Sequence, residues 1–63
     1  MNKKDLVQTS VFTSLFNQPI PKDKPLYFDS FEKSDDNNHC YITTKIGGGF
    51  HWMVKAEWLT VVK

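Results

Sequence analysis

Sixty-three residues with eight lysines against seven acids, a net charge of +1, suffice for one domain spanning 1–63 and leave no length for a second. An apolar content of 40%, with five Phe, two Tyr and two Trp, excludes a disordered chain, which would be poor in aromatics. The near-neutral balance and the lack of any arginine remove the usual partner of phosphate and guanine, and count against a sequence-specific DNA reader.

Leu6 to Phe12 is rich in β-branched residues and predicts a first strand. Pro19, Pro21 and Pro25 then punctuate a long irregular loop over 13–25, because proline lacks a ladder donor and fixes φ. Leu26 to Glu32 predicts a second strand in which Leu26, Phe28 and Ser30 alternate with Tyr27, Asp29 and Phe31. Ser34 to Asn38 is a polar turn of residues that bond their own backbone. His39 to Ile46 predicts a third strand, with Cys40, Ile42, Thr44 and Ile46 on one face and His39, Tyr41, Thr43 and Lys45 on the other.

Gly47-Gly48-Gly49 predicts a tight hairpin centred near Gly48, which sets Lys45 close to His51 and His39 beyond the end of the partner strand. Phe50 to Lys55 is the fourth strand, its Phe50, Trp52 and Val54 turned to the core opposite Ile42 and Ile46. Ala56-Glu57-Trp58 reads as one helical turn, and Leu59 to Val62 as the last strand. Five short strands in this order predict an all-β fold, a small and strongly bent five-stranded barrel whose closure or half-closure protects its edges. The Lys3–Lys4 end is expected to fray.

The candidates for chemistry are few. One cysteine, Cys40, allows no internal disulfide, and Cys40, His39 and His51 fall short of a zinc finger's four ligands. His39 and Cys40 are adjacent, so on a strand they point to opposite faces and form neither a metal cluster nor a Cys–His pair. Ser10, Ser14, Ser30 and Ser34 sit in strand or loop contexts without a nucleophile elbow. A barrel this small leaves little room for a pocket of roughly 300 Å3. The glycine run leads into a strand instead of a helix N-terminus, so it reads as a hairpin and not a phosphate loop. Asp35-Asp36-Asn37-Asn38 lacks the alternate spacing of a calcium loop. No metal, no cofactor and no catalysis are expected. The start of the chain, Met1-Asn2-Lys3-Lys4-Asp5, runs into no apolar segment of signal-peptide type, and no stretch approaches the roughly 20 apolar residues that span a bilayer, so a cytoplasmic protein is expected.

The aromatics exceed what so small a core can hold. Tyr27, Phe31 and Tyr41 either face outward as a binding patch or lie under Phe16 and Ile20 of the long loop.

The succession of a long first loop (13–25), a polar second loop (33–38), a glycine hairpin (47–49) and a one-turn helix (56–58) resembles an SH3-like barrel. The ending Gly49-Phe50-His51-Trp52-Met53-Val54-Lys55-Ala56-Glu57-Trp58-Leu59-Thr60-Val61-Val62 is similar to the tails of short SH3-like (KOW-type) proteins, including phage and mobile-element accessory proteins. Lys3-Lys4-Asp5-Leu6-Val7 lacks the glycine of a KOW segment, and the turn lacks the Pro-x-x-Tyr of proline-binding SH3 domains, so neither ligand preference carries over. The resemblance places Trp58 beside the ligand groove and implies an accessory protein that inhibits or redirects a host protein.

The expectation is therefore a non-enzymatic protein-binding module whose partner contacts Tyr27, Phe31, Tyr41, Trp58 and Lys45. Two alternatives stand beside it. One is a small nucleic-acid-binding barrel that stacks bases on Tyr27, Phe31 and Tyr41 next to Lys45. The other is a self-associating structural subunit, a homodimer in its simplest form.

Overall fold

The computed structural model describes residues 1–62; Lys63, the last residue of the expected domain, lies outside the described residues. Five antiparallel strands form one sheet: β1 (Leu6–Thr9), β2 (Leu26–Phe31), β3 (His39–Thr43), β4 (His51–Lys55) and β5 (Leu59–Val61). Their spatial order is β4-β3-β2-β1-β5, so β4 and β5 are the two edges and the sheet is not closed into a barrel. A single 3-10 turn, Ala56–Trp58, links β4 to β5 where the sequence placed it, and a second covers Lys33–Asp35.

β1 stops three residues short of the expected end. The Thr9 hydroxyl accepts the Val11 N–H at 3.2 Å, and a Thr side chain that bonds its own backbone two residues on turns the chain out of the ladder. At the other end the lysines do not fray: Lys4 N–H donates to the Phe28 carbonyl at 2.9 Å, and Asp5 N–H closes a turn on the Asn2 carbonyl at 3.0 Å.

β2 carries the decisive irregularity. Phe28 pairs with Ile42, but Ser30 pairs with Tyr41 and Phe31 with Cys40, so one extra residue is inserted between Phe28 and Ser30. A bulge of this kind reverses the parity of every later side chain. Phe31 therefore joins Phe28 on the core face, ring to ring at 4.9 Å in an edge-to-face contact, and is not one of the outward aromatics the alternation placed with Tyr27.

β3 and β4 pair two residues out of the expected register. Tyr41 lies opposite Met53, Thr43 opposite His51 and His39 opposite Lys55, so Lys45 is not the neighbour of His51 and His39 is not beyond the strand end. A shift of two preserves the faces, which is why Cys40, Ile42 and Val54 are fully buried as expected. The wider loop is closed by Thr43, itself buried. Its hydroxyl lies 3.2 Å from the Lys45 carbonyl and 3.0 Å from the Phe50 carbonyl, donates to one of them, and accepts the Lys45 N–H. Gly47 and Gly49 both take φ near +80°, the region that excludes most side chains. Phe50 consequently belongs to the loop, 57% exposed, instead of filling the core.

An open sheet has one apolar face to cover. The segment 13–25 does this. Ile20 enters the cluster of Val7, Leu26, Phe28, Cys40, Ile42 and Val54, and half-buried Trp52, Trp58, Leu59 and Val61 complete it. The segment is also ordered: Thr13 bridges Pro19, and the buried Ser14 hydroxyl accepts the N–H groups of Phe16 and Gln18, each at 3.2 Å.

Candidate functional site

The five side chains expected to meet a partner do not form one patch. Tyr27 and Tyr41 are half-buried on the sheet face opposite the core, Tyr27 between Leu6 and Thr43, Tyr41 between Ser30 and Met53. Phe31 lies on the core side of the bulge. Trp58 packs part of its ring against the core, with the Lys55 ammonium 5.5 Å over that ring. Lys45 is exposed in the β3–β4 loop. The loop does not cover the tyrosines either, because Ile20 goes to the core and Phe16 goes to solvent.

The tyrosine face is charged and internally satisfied. Asp29, turned outward at the bulge, lies 3.7 Å from both the Lys3 ammonium and the His51 imidazole. The Tyr41 hydroxyl donates to Glu32, and this bond, followed by the Ser34 backbone N–H, holds the Glu32 carboxyl below its ordinary value. Two carboxylates thus stand among the lysines and aromatics that a base-stacking surface would need.

The two most exposed aromatics, Phe16 and Phe50, lie elsewhere, along the β4 side. Leu15 N–H donates to the Met53 carbonyl at 3.1 Å, and the Trp52 indole N–H donates to the Pro19 carbonyl at 2.9 Å, so the 13–20 loop is fastened to β4. Its tip presents Phe16, 68% exposed, where Asn17 takes a positive φ. Phe50, in the loop just before β4, lies edge-to-face on Trp52 at 5.1 Å. A Cβ placed on Gly49 would lie 3.7 Å from the Lys45 Cβ, and the Lys45 and Phe50 carbonyls both lie within 3.2 Å of the Thr43 hydroxyl, so the two residues share the closed end of the β3–β4 loop. The sequence did hold a signal for these residues: Phe16 is followed by Asn-Gln-Pro and Phe50 follows three glycines, contexts that strand alternation does not govern.

Two hollows complete the surface. An open groove of about 430 Å3, larger than the chain length led us to expect, lies where β1 runs past the end of β2; Leu6, Phe12, Leu26 and Val62 line it together with Lys22 and Lys24. A smaller one of about 300 Å3 is polar and lies among Asn37, Asn38, His39 and Lys55. No cluster of three His, Cys, Asp or Glu side chains able to hold a metal occurs among the described residues, and no helix among them is long and apolar enough to cross a membrane. Comparison with protein-family models, with curated proteins and with solved structures finds no match to this chain.

Proposed function

We propose that this chain is a non-enzymatic protein-binding module that docks through Phe16 and Phe50 on the β4 side, with Lys45 in the same loop as Phe50. One observation carries the reading: two phenylalanines, 68% and 57% exposed, stand on backbone that hydrogen bonds to Ser14 and Thr43 hold in place. Large apolar side chains in water cost free energy that burial in a partner recovers, and anchors on ordered backbone lose little entropy when they dock. The strand order, the single turn before β5 and the glycine-bearing β3–β4 loop support an SH3-like ancestry for the scaffold. With that ancestry comes the reading of a phage-type accessory protein acting on a host protein, in the cytoplasm.

The test is a nuclease-treated pull-down of tagged protein from bacterial lysate, washed at low and high salt. We expect one protein to remain at high salt and to be lost with Phe16→Ala or Phe50→Ala. Tyr41→Ala should retain it. Enrichment that disappears with nuclease or salt would transfer the function to nucleic acid, because phosphate contacts weaken steeply with salt. Light scattering at two concentrations tests whether the same edge instead binds a second copy.

A further inference from the structure

The groove beside β1 has a chemistry distinct from that edge. β2 begins at Leu26, opposite Val7, and the preceding Pro25 has no N–H to continue the ladder, so Gln8 and Thr9 run on with the 21–25 segment beside them instead of a strand. Leu6, Phe12 and Val62 remain 39%, 46% and 36% exposed along this opening. Among the described residues, Lys22 and Lys24 supply the only formal charges in its lining; Asp23, between them in sequence, is not part of it. Lys22 sits 4.6 Å over the Phe12 ring, and neither ammonium is ion-paired among the described residues. Lys3, by contrast, is matched by Asp29. Apolar walls rimmed by two lysines complement a segment that sets an aliphatic or aromatic side chain next to carboxylates.

We propose that this groove is a second contact, independent of the Phe16–Phe50 edge, and that its occupant is an extended acidic segment of a partner protein with a large apolar side chain at its centre. The apolar side chain enters between Leu6, Phe12 and Val62, and the flanking carboxylates meet Lys22 and Lys24. The groove does not enclose its contents, which favours an extended chain over a small molecule that must be enclosed.

The experiment selects on the intact protein from a displayed library of random 12-residue peptides, then titrates the most enriched peptide into 15N-labelled protein. Enriched peptides should pair Asp or Glu with Leu, Ile, Phe or Trp, and should shift the amides of Gln8, Thr9, Phe12 and Leu26. Lys22→Gln with Lys24→Gln, both exposed and safe for folding, should weaken the chosen peptide roughly fivefold, as two solvent-screened ion pairs would. A Glu-to-Gln version of the peptide should lose the same factor against the unaltered protein and nothing further against the double variant. Absence of enrichment, neutral or basic winners, or shifts confined to Phe16 and Phe50 would each overturn the groove proposal. The pull-down would still stand or fall on its own. A thymidine decanucleotide that displaces the peptide and shifts the same amides more strongly would also overturn it, in favour of phosphate.

Discussion

Replacing Phe31 by alanine tests the bulge in β2, and with it which aromatics hold the fold together. Truncating a fully buried phenylalanine costs about 3–5 kcal/mol. Phe31 is half-buried, which brings the expectation to about 2 kcal/mol, of which the edge-to-face contact with Phe28 at 4.9 Å accounts for roughly 0.5–1.5. In a domain of this size each kcal/mol moves the melting temperature by about 4–8 °C, so Phe31→Ala should melt about 8–16 °C below the parent protein. Phe50→Ala is the matched control: the same side chain in the same kind of ring contact, on Trp52 at 5.1 Å, but 57% exposed. Its loss should stay below about 1 kcal/mol. Simple alternation predicts the opposite order, since it sends Phe50 to the core and Phe31 outward. Thermal and urea melts of the two variants decide it. If Phe50→Ala is the more damaging, the bulge does not set the faces of β2 and the argument fails.

Three further outcomes follow from local features. Ser14→Ala removes the acceptor of two N–H groups from a buried position and should cost about 1 kcal/mol, with faster amide hydrogen exchange at Phe16 and Gln18 as the specific readout. Gly49→Ala forces a side chain into positive φ and should cost about 1–2 kcal/mol in a urea melt, whereas Gly48→Ala, with no atom within 4 Å of the added Cβ, should be close to neutral. Glu32 binds its proton less readily in the native state than in the unfolded chain, so its contribution is present above the ordinary carboxylate value and is lost as pH falls through the lowered native one. Tyr41→Phe should therefore be less stable than the parent near neutrality, and the gap should close under acid; a gap that is constant with pH would detach Tyr41 from Glu32.

What the proposed binding surface asks of this scaffold is economical. One open sheet, one apolar face and one loop that folds back to cover it leave Phe16 at the loop tip and Phe50 before β4 as the most exposed aromatics. The same arrangement opens the groove, because the loop leaves β1 at Thr9 and returns only at Leu26, and the prolines in between supply no ladder donors on that side.

The elements that short-range chemistry controls could be read directly. Glycines at positive φ, the Asp-Asn turn with Asp36 and Asn37 left-handed, the turn at Ala56–Trp58 and the burial of Cys40, Ile42 and Val54 all depend on a few neighbouring residues or on strict alternation within one strand. The candidate binding residues were harder. Tyr27, Tyr41, Trp58 and Lys45 do retain some exposure, but Phe31 faces the core and the most exposed aromatics, Phe16 and Phe50, were assigned to a covering loop and to the core. A bulge belongs to a pair of strands and not to either one, so nothing within Leu26–Phe31 announces that Phe31 will face Cys40. The destination of Ile20 depends on the open face of a sheet built mostly from residues far along the chain. The β3–β4 register, too, was settled when the Thr43 hydroxyl found Lys45 and Phe50 across the loop. Turns and alternation come from local sterics and hydrogen bonds, whereas which side chains stay in water is decided only when distant segments compete to bury the same apolar face.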